Sequence, residues 1–173
     1  MAALEFTRRY AMAHRLLADP ASKCAVPHGH NETVSVRLAP QRAFAFSRSN
    51  SEAPFEAVKG RWHAWLDRHV DHALQLGQAD PLIGYFRAHE PQRLARILTT
   101  PGDPTTEALA AAFWLKLTAF VADSDLPFSV SAVRVEETPT NAVILTGESF
   151  DAEACTAAAA PWMRRADMSI NDF

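Results

Sequence analysis

Two stretches of alternation near the N-terminus constrain this chain more than any other feature. Phe6, Arg8, Tyr10, Met12 and His14 alternate with Thr7, Arg9, Ala11 and Ala13. After an interruption at Asp19-Pro20 and Pro27, His28, His30, Glu32, Val34, Val36 and Leu38 alternate with Thr33, Ser35 and Arg37. A period of two places each set on one face of a strand, so the chain opens with two strands, the second beginning on two histidines. Phe44 and Phe46 point to a strand end or a short extra strand before a loop over 47–54.

The texture then becomes helical. Val58, Trp62 and Leu66, flanked by Trp65 and His69, form one apolar stripe over 56–70, which a core-facing helix explains. Between Gln75 and Pro101 the prolines at 81, 91 and 101 bound short helices over 82–89 and 92–98. Asp103-Pro104-Thr105-Thr106-Glu107 supplies a capping residue, a proline suited to a first turn and an acid. They announce a helix that runs to about Ala122. Phe128 to Glu137 and Ala142 to Thr146 read as strands around the turn Pro139-Thr140-Asn141. The Ala-rich tail reads as some helix and then fraying. Strands, a run of helices and strands again predict α+β with an antiparallel sheet.

Composition closes off several classes. With 173 residues, one domain is expected, here a main part over 1–148 and a C-terminal extension of it over 149–173. Apolar residues are 48% and charged residues 21% of the chain, a globular balance. The longest uncharged apolar run, Ala108 to Leu115, is far short of the ~20 residues of a membrane span. The first residues lack the apolar stretch of a signal peptide, so a soluble cytoplasmic protein is expected. A formal net charge of -3 gives no basic field to attract nucleic acid or an anionic membrane. Two cysteines, Cys24 and Cys155, make no disulfide framework and fit a reducing compartment.

His28-Gly29-His30 puts two imidazoles on one face of a strand, a two-ligand arm for a metal. His14 joins them if the two strands pair antiparallel, and three imidazoles with one open position match a catalytic zinc layout. Ordinary polar surface accounts for the same spacing. Cys24, four residues before His28 and next to Lys23, reads as a reactive thiol or as a small buried hydrophobe, although its neighbours offer no apolar face. Glu136 and Glu137 alone read as solvated residues at a strand end, and Thr105 and Thr106 as helix caps.

Ala13-His14-Arg15-Leu16 and Cys24-Ala25-Val26-Pro27-His28-Gly29-His30-Asn31 resemble the signatures of the 6-pyruvoyl-tetrahydropterin synthase / 6-carboxytetrahydropterin synthase family. The resemblance resumes at Asp71-His72, at Pro104-Thr105-Thr106-Glu107 and at Val135-Glu136-Glu137-Thr138, and so spans Phe6 to Glu148. It implies a tunnelling fold, with a four-stranded antiparallel sheet, two main helices on one face, and sheets from several subunits closing into a barrel. A homo-hexamer built from trimers, with its sites at subunit interfaces, goes with that fold. It further implies that His14, His28 and His30 hold Zn2+, that Cys24 is the proton-abstracting thiolate, and that Asp71 and His72 form a catalytic dyad. Glu137, with Thr105 and Thr106 nearby, is then the pterin anchor. The reaction implied is release of triphosphate from 7,8-dihydroneopterin triphosphate, with the side chain either cleaved to a carboxylate and acetaldehyde, as in queuosine biosynthesis, or kept as a pyruvoyl group. The short Cys24-to-His28 spacing resembles the carboxylate-forming bacterial enzymes.

Departures accompany the match. Asp71-His72-Ala73-Leu74-Gln75-Leu76 breaks the register of the Leu-Asn pair that usually follows the dyad, a change compatible with a pterin-binding homologue of altered chemistry. Glu32 stands where the common second-strand motif has an aromatic residue, and Trp65, Trp162 and the tail have no counterpart.

Overall fold

The computed structural model describes residues 3–173. Strands β1 (Leu4–His14) and β2 (His28–Pro40) pair antiparallel without a slip, from Leu4 opposite Leu38 to His14 opposite His28. One face of this ribbon carries Phe6, Tyr10, Met12, Val34, Val36 and Leu38, all buried. The other carries Thr7, Arg9, Ser35 and Arg37, as the alternation requires.

Helix α1 (Phe55–Trp65) follows and passes into a wide π-helical turn over Leu66–Val70. Strand β3 (Ala73–Gly77), helix α2 (Pro81–His89), a 3-10 stretch (Pro91–Arg96) and strand β4 (Ile97–Thr100) come next. Helix α3 (Thr106–Asp123), strands β5 (Phe128–Thr138) and β6 (Asn141–Thr146), helix α4 (Ala152–Ala158) and a 3-10 turn (Pro161–Arg164) complete the chain. The sheet runs β4-β3-β1-β2-β5-β6. Helices α1 and α3 cover the apolar face, where Trp62, Trp65, Leu109 and Phe113 pack with Val34, Val36, Val133 and Val135 into one core.

The four expected antiparallel strands are β1, β2, β5 and β6, but the sheet has six strands and is mixed. β3 pairs parallel with the end of β1, and β4 pairs parallel with β3. Neither shows the alternation of a half-exposed strand, since all four residues of β4 are buried; a short, wholly buried strand gives no period to read. The helix expected over 92–98 is correspondingly a 3-10 stretch that stops at Arg96, where the β-branched Ile97, Thr99 and Thr100 favour extension. No strand forms at Phe44 and Phe46, which are exposed beyond the end of β2.

The tail also departs from the expected fraying. Trp162 is wholly buried, stacks on Trp65, and donates from its indole N–H to the Thr99 carbonyl at 3.0 Å. The backbone N–H of Thr99 donates in turn to Ile170. Lys116, on the buried side of α3, donates from Nζ to the carbonyls of Trp162 and Arg165 and to Asp167, at 3.1, 2.9 and 3.2 Å. No helix among the described residues is long and apolar enough to cross a membrane.

Candidate metal centre and pterin site

At one end of the sheet the β1–β2 register sets His14 opposite His28, with His30 two residues along the same face. These three are the side chains whose donor atoms lie within 4.8 Å of one another among the described residues. His14 Nδ1 lies 2.9 Å from the carbonyl oxygen of Pro104, and His28 Nδ1 lies 2.9 Å from that of Val26. A carbonyl only accepts, so each Nδ1 carries the proton and each Nε2 presents a lone pair. The two Nε2 atoms face each other at 3.1 Å. Two lone pairs at that distance repel unless a cation lies between them, and two nitrogens on a tetrahedral zinc stand about 3.3 Å apart. The donor set therefore fits a divalent metal. Burial holds His14 below the usual imidazole range despite the Pro104 carbonyl, and the neighbouring histidines add to the effect, so the neutral, ligating form is favoured.

Cys24 sits in a 3-10 turn (Lys23–Ala25) whose N-terminus is capped by Ser22 Oγ. The Leu16 N–H donates to the Cys24 carbonyl at 2.7 Å. The thiol-bearing turn is thus tied to Leu16, two residues past His14, and Cys24 itself lies four residues before His28. The thiol is not among the side chains close enough to share one ion with the histidines.

Glu137 reaches the site from the β-bulge near the end of β5 and accepts from Thr106 Oγ1 at 2.7 Å. Thr105 acts differently, as the cap of α3, accepting from the Ala108 N–H at 3.3 Å. Of the two threonines only Thr106 touches the carboxylate, and through it the first turn of α3 holds Glu137 beside the metal centre.

Asp71 and His72 form a dyad, with His72 Nδ1 2.8 Å from Asp71 Oδ2. Adjacent residues of a helix point apart, and here the helical turn has ended: Asp71 is extended at ψ 126°, and His72 adopts φ +63°, sparsely populated for any residue but glycine. β1 pins this kink, since the Ala11 N–H donates to Asp71 Oδ1 at 2.8 Å and the His72 N–H to the Ala11 carbonyl at 2.7 Å. Partial burial pushes the Asp71 carboxyl up, but those bonds from Ala11 and His72 outweigh it and hold the group below its ordinary value.

Within one chain the dyad is not at the metal centre. His72 is exposed above a hollow that Ala11, Met12, Ala13, Gly29, His30 and Asn31 also line. Ala11, Ala13 and Asn31 alternate with Met12, His14, His28 and His30, so the hollow opens mainly on the far side of the ribbon, and neither His14 nor His28 lines it.

Two residues at the site escaped the sequence reading as functional. Tyr10 and Glu32 face each other across β1 and β2, and the Tyr10 hydroxyl donates to Glu32 Oε2 at 2.6 Å. Only 4% of either is exposed. Burial lifts the Glu32 carboxyl to about 7 against the opposing hydrogen bond from Tyr10, and the nearby Glu137 adds to the rise. The signal available in sequence was an acid within an apolar series ending Val34, Val36 and Leu38.

Comparison with known proteins extends the geometry. Residues 3–148 match the family model described as 6-pyruvoyl tetrahydropterin synthase. A relative from Rickettsia bellii, 6-carboxy-5,6,7,8-tetrahydropterin synthase, is 25% identical over 139 residues, covering 79% of this chain and 95% of the relative. Among solved structures, an uncharacterized protein from Wolinella succinogenes superposes with TM-score 0.64 at 18% identity, covering 85% of this chain and 99% of that one. The Caenorhabditis elegans 6-pyruvoyl tetrahydropterin synthase gives 0.56 at 24% identity, covering 84% and 95%.

Proposed function

Because the chain belongs to the 6-pyruvoyl tetrahydropterin synthase family, we propose that it is a zinc-dependent lyase. Its reaction converts 7,8-dihydroneopterin triphosphate and water to 6-carboxy-5,6,7,8-tetrahydropterin, acetaldehyde and triphosphate. The observation that carries the reading is the convergence of the His14 and His28 Nε2 lone pairs beside a Thr106-held Glu137. A zinc ion held by His14, His28 and His30 would supply Lewis acidity, polarising side-chain hydroxyls and acidifying the neighbouring C–H bonds.

The chain's own groups do the rest. Glu137 accepts two parallel N–H bonds from the 2-amino-pyrimidinone edge of the pterin and so fixes its orientation. Cys24 removes a proton from the side chain bound between it and the histidines. His72, its ring oriented by Asp71, carries protons to and from the other side of that chain. We take the histidine cluster and the dyad of one active site from two copies, because neither His14 nor His28 lines the hollow below His72. This supports a homo-hexamer with shared sites. The stretch of β1 before Met12, beyond the reach of β3, and the outer edge of β6 give such an assembly somewhere to join.

Cleavage to the carboxylate rather than retention of a pyruvoyl group is supported by the short Cys24-to-His28 spacing and by the name of the Rickettsia relative. Mass spectrometry of the pterin product, with acetaldehyde measured in parallel, tests the reading. Stoichiometric 6-carboxytetrahydropterin and acetaldehyde are expected. A pyruvoyl product without acetaldehyde would reassign the chain to the sister reaction, and no triphosphate release from zinc-loaded protein would overturn enzyme function altogether.

A further inference from the structure

The Tyr10–Glu32 pair has no place in the chemistry so far. Glu32 lies on the same sheet face as the histidines, two residues past His30, and its neighbour on the next strand is the β5 bulge that carries Glu137. Its Oε2 is taken by Tyr10, while no protein donor among the described residues reaches Oε1. Glu32 is 4% exposed, and its Oε1, unlike His63 Nε2 and Gln75 Nε2, is not sealed off without a partner, so beside a second carboxylate this oxygen stays open to a donor that a ligand brings. The edge of the ligand already assigned to Glu137 has one donor too many for that residue. A 2-amino-pyrimidinone offers a ring N–H and two amino N–H groups, and a single carboxylate fork engages the ring N–H and one of the amino hydrogens.

We infer that Glu32 is a specificity-determining residue of this site, its Oε1 accepting the second N–H of the pterin 2-amino group while Tyr10 clamps Oε2. The inference rests on the pterin reading above. Two carboxylates around one exocyclic amino group reject a ring bearing oxygen at that position. The oxygen would set an acceptor against an acceptor and leave a buried carboxylate without its donor.

The test is equilibrium binding to the zinc-loaded protein, followed by intrinsic tryptophan fluorescence, of neopterin and of its analogue with oxygen in place of the 2-amino group. The wild type is expected to prefer neopterin. Glu32→Gln is expected to cut that preference roughly tenfold or more, and Tyr10→Phe, which leaves the carboxylate but removes its clamp, to cut it by less. A purely structural role would weaken both ligands alike and leave the ratio unmoved. An unchanged ratio in Glu32→Gln, with the wild-type preference intact, overturns the assignment of Glu32 and leaves the pterin reading standing. A wild type with no preference for neopterin overturns both.

Discussion

His14 and His28 each bond a backbone carbonyl through Nδ1, and this fixes which nitrogen faces the site. Removing His28 leaves two ligands, too few to hold zinc, whereas Cys24 lies outside the cluster. Elemental analysis is therefore expected to find about one zinc per chain in the wild type and in Cys24→Ala, and near none in His28→Ala. Equal loss in both variants would make Cys24 a fourth ligand and the site a closed, structural one. Glu32 gives a second expectation at this scale. A carboxyl raised from 4.5 to about 7 on folding takes up protons in the native state, so its contribution to stability falls as pH rises between those values. Glu32→Gln removes that loss while keeping the shape. In metal-stripped protein its melting temperature should exceed that of the wild type at pH 8, by an amount worth about 1–3 kcal/mol, and the gap should close below pH 4.5.

Helix α3 serves three neighbours at once. Its first turn positions Glu137 through Thr106, its apolar side fills the core, and Lys116 in its middle fastens the tail. Lys116 is fully buried among Trp65, Phe120 and Trp162, and desolvation draws its ammonium down to about 8 against the attraction of Asp167. Truncation to an apolar group leaves the carbonyls of Trp162 and Arg165 without their donor. Lys116→Met is accordingly expected to cost about 2–4 kcal/mol in chemical denaturation. It should also expose the tail, so that trypsin cuts at Arg164 and Arg165 before it cuts within the sheet. Tail cleavage no faster than in the wild type would show that Trp162 alone anchors the segment. The N-terminus of the same helix is more tolerant, and Thr105→Ala, which loses one cap, should cost about 1 kcal/mol.

At the scale of the molecule, a dyad set over a hollow that neither His14 nor His28 lines gives the assembly a definite test. Light scattering is expected to report a hexamer, and a monomer at micromolar concentration would remove the shared site. Co-refolding equal amounts of His28→Ala and His72→Ala, each inactive alone, should restore about a quarter of wild-type activity, because one site in four then pairs an intact cluster with an intact dyad. No recovery from mixed assemblies would place each complete site within a single copy.

The readable parts of this protein were those written in local periodicity. Alternation on β1 and β2 marked two strands and put three histidines on one face, and the run Asp103-Pro104-Thr105-Thr106-Glu107 announced α3, whose cap proves to be Thr105, two residues past Asp103. The family motifs pointed to candidate site residues for the same reason, as they are short runs whose spacing is set by a strand or a helix turn. What stayed hidden depends on contacts between segments distant in sequence. β3 and β4 are too short and too buried to show a period, and they exist as strands because β1 offers an edge. The tail is ordered by a lysine 46 residues before Trp162 and by a strand edge near Thr99, neither of which leaves a mark in the tail's own composition. Glu32 looks in sequence like an error in an apolar series. Only the pairing of three strands brings Tyr10, Glu32 and Glu137 to one wall, and burial there turns an ordinary acid into a recognition group.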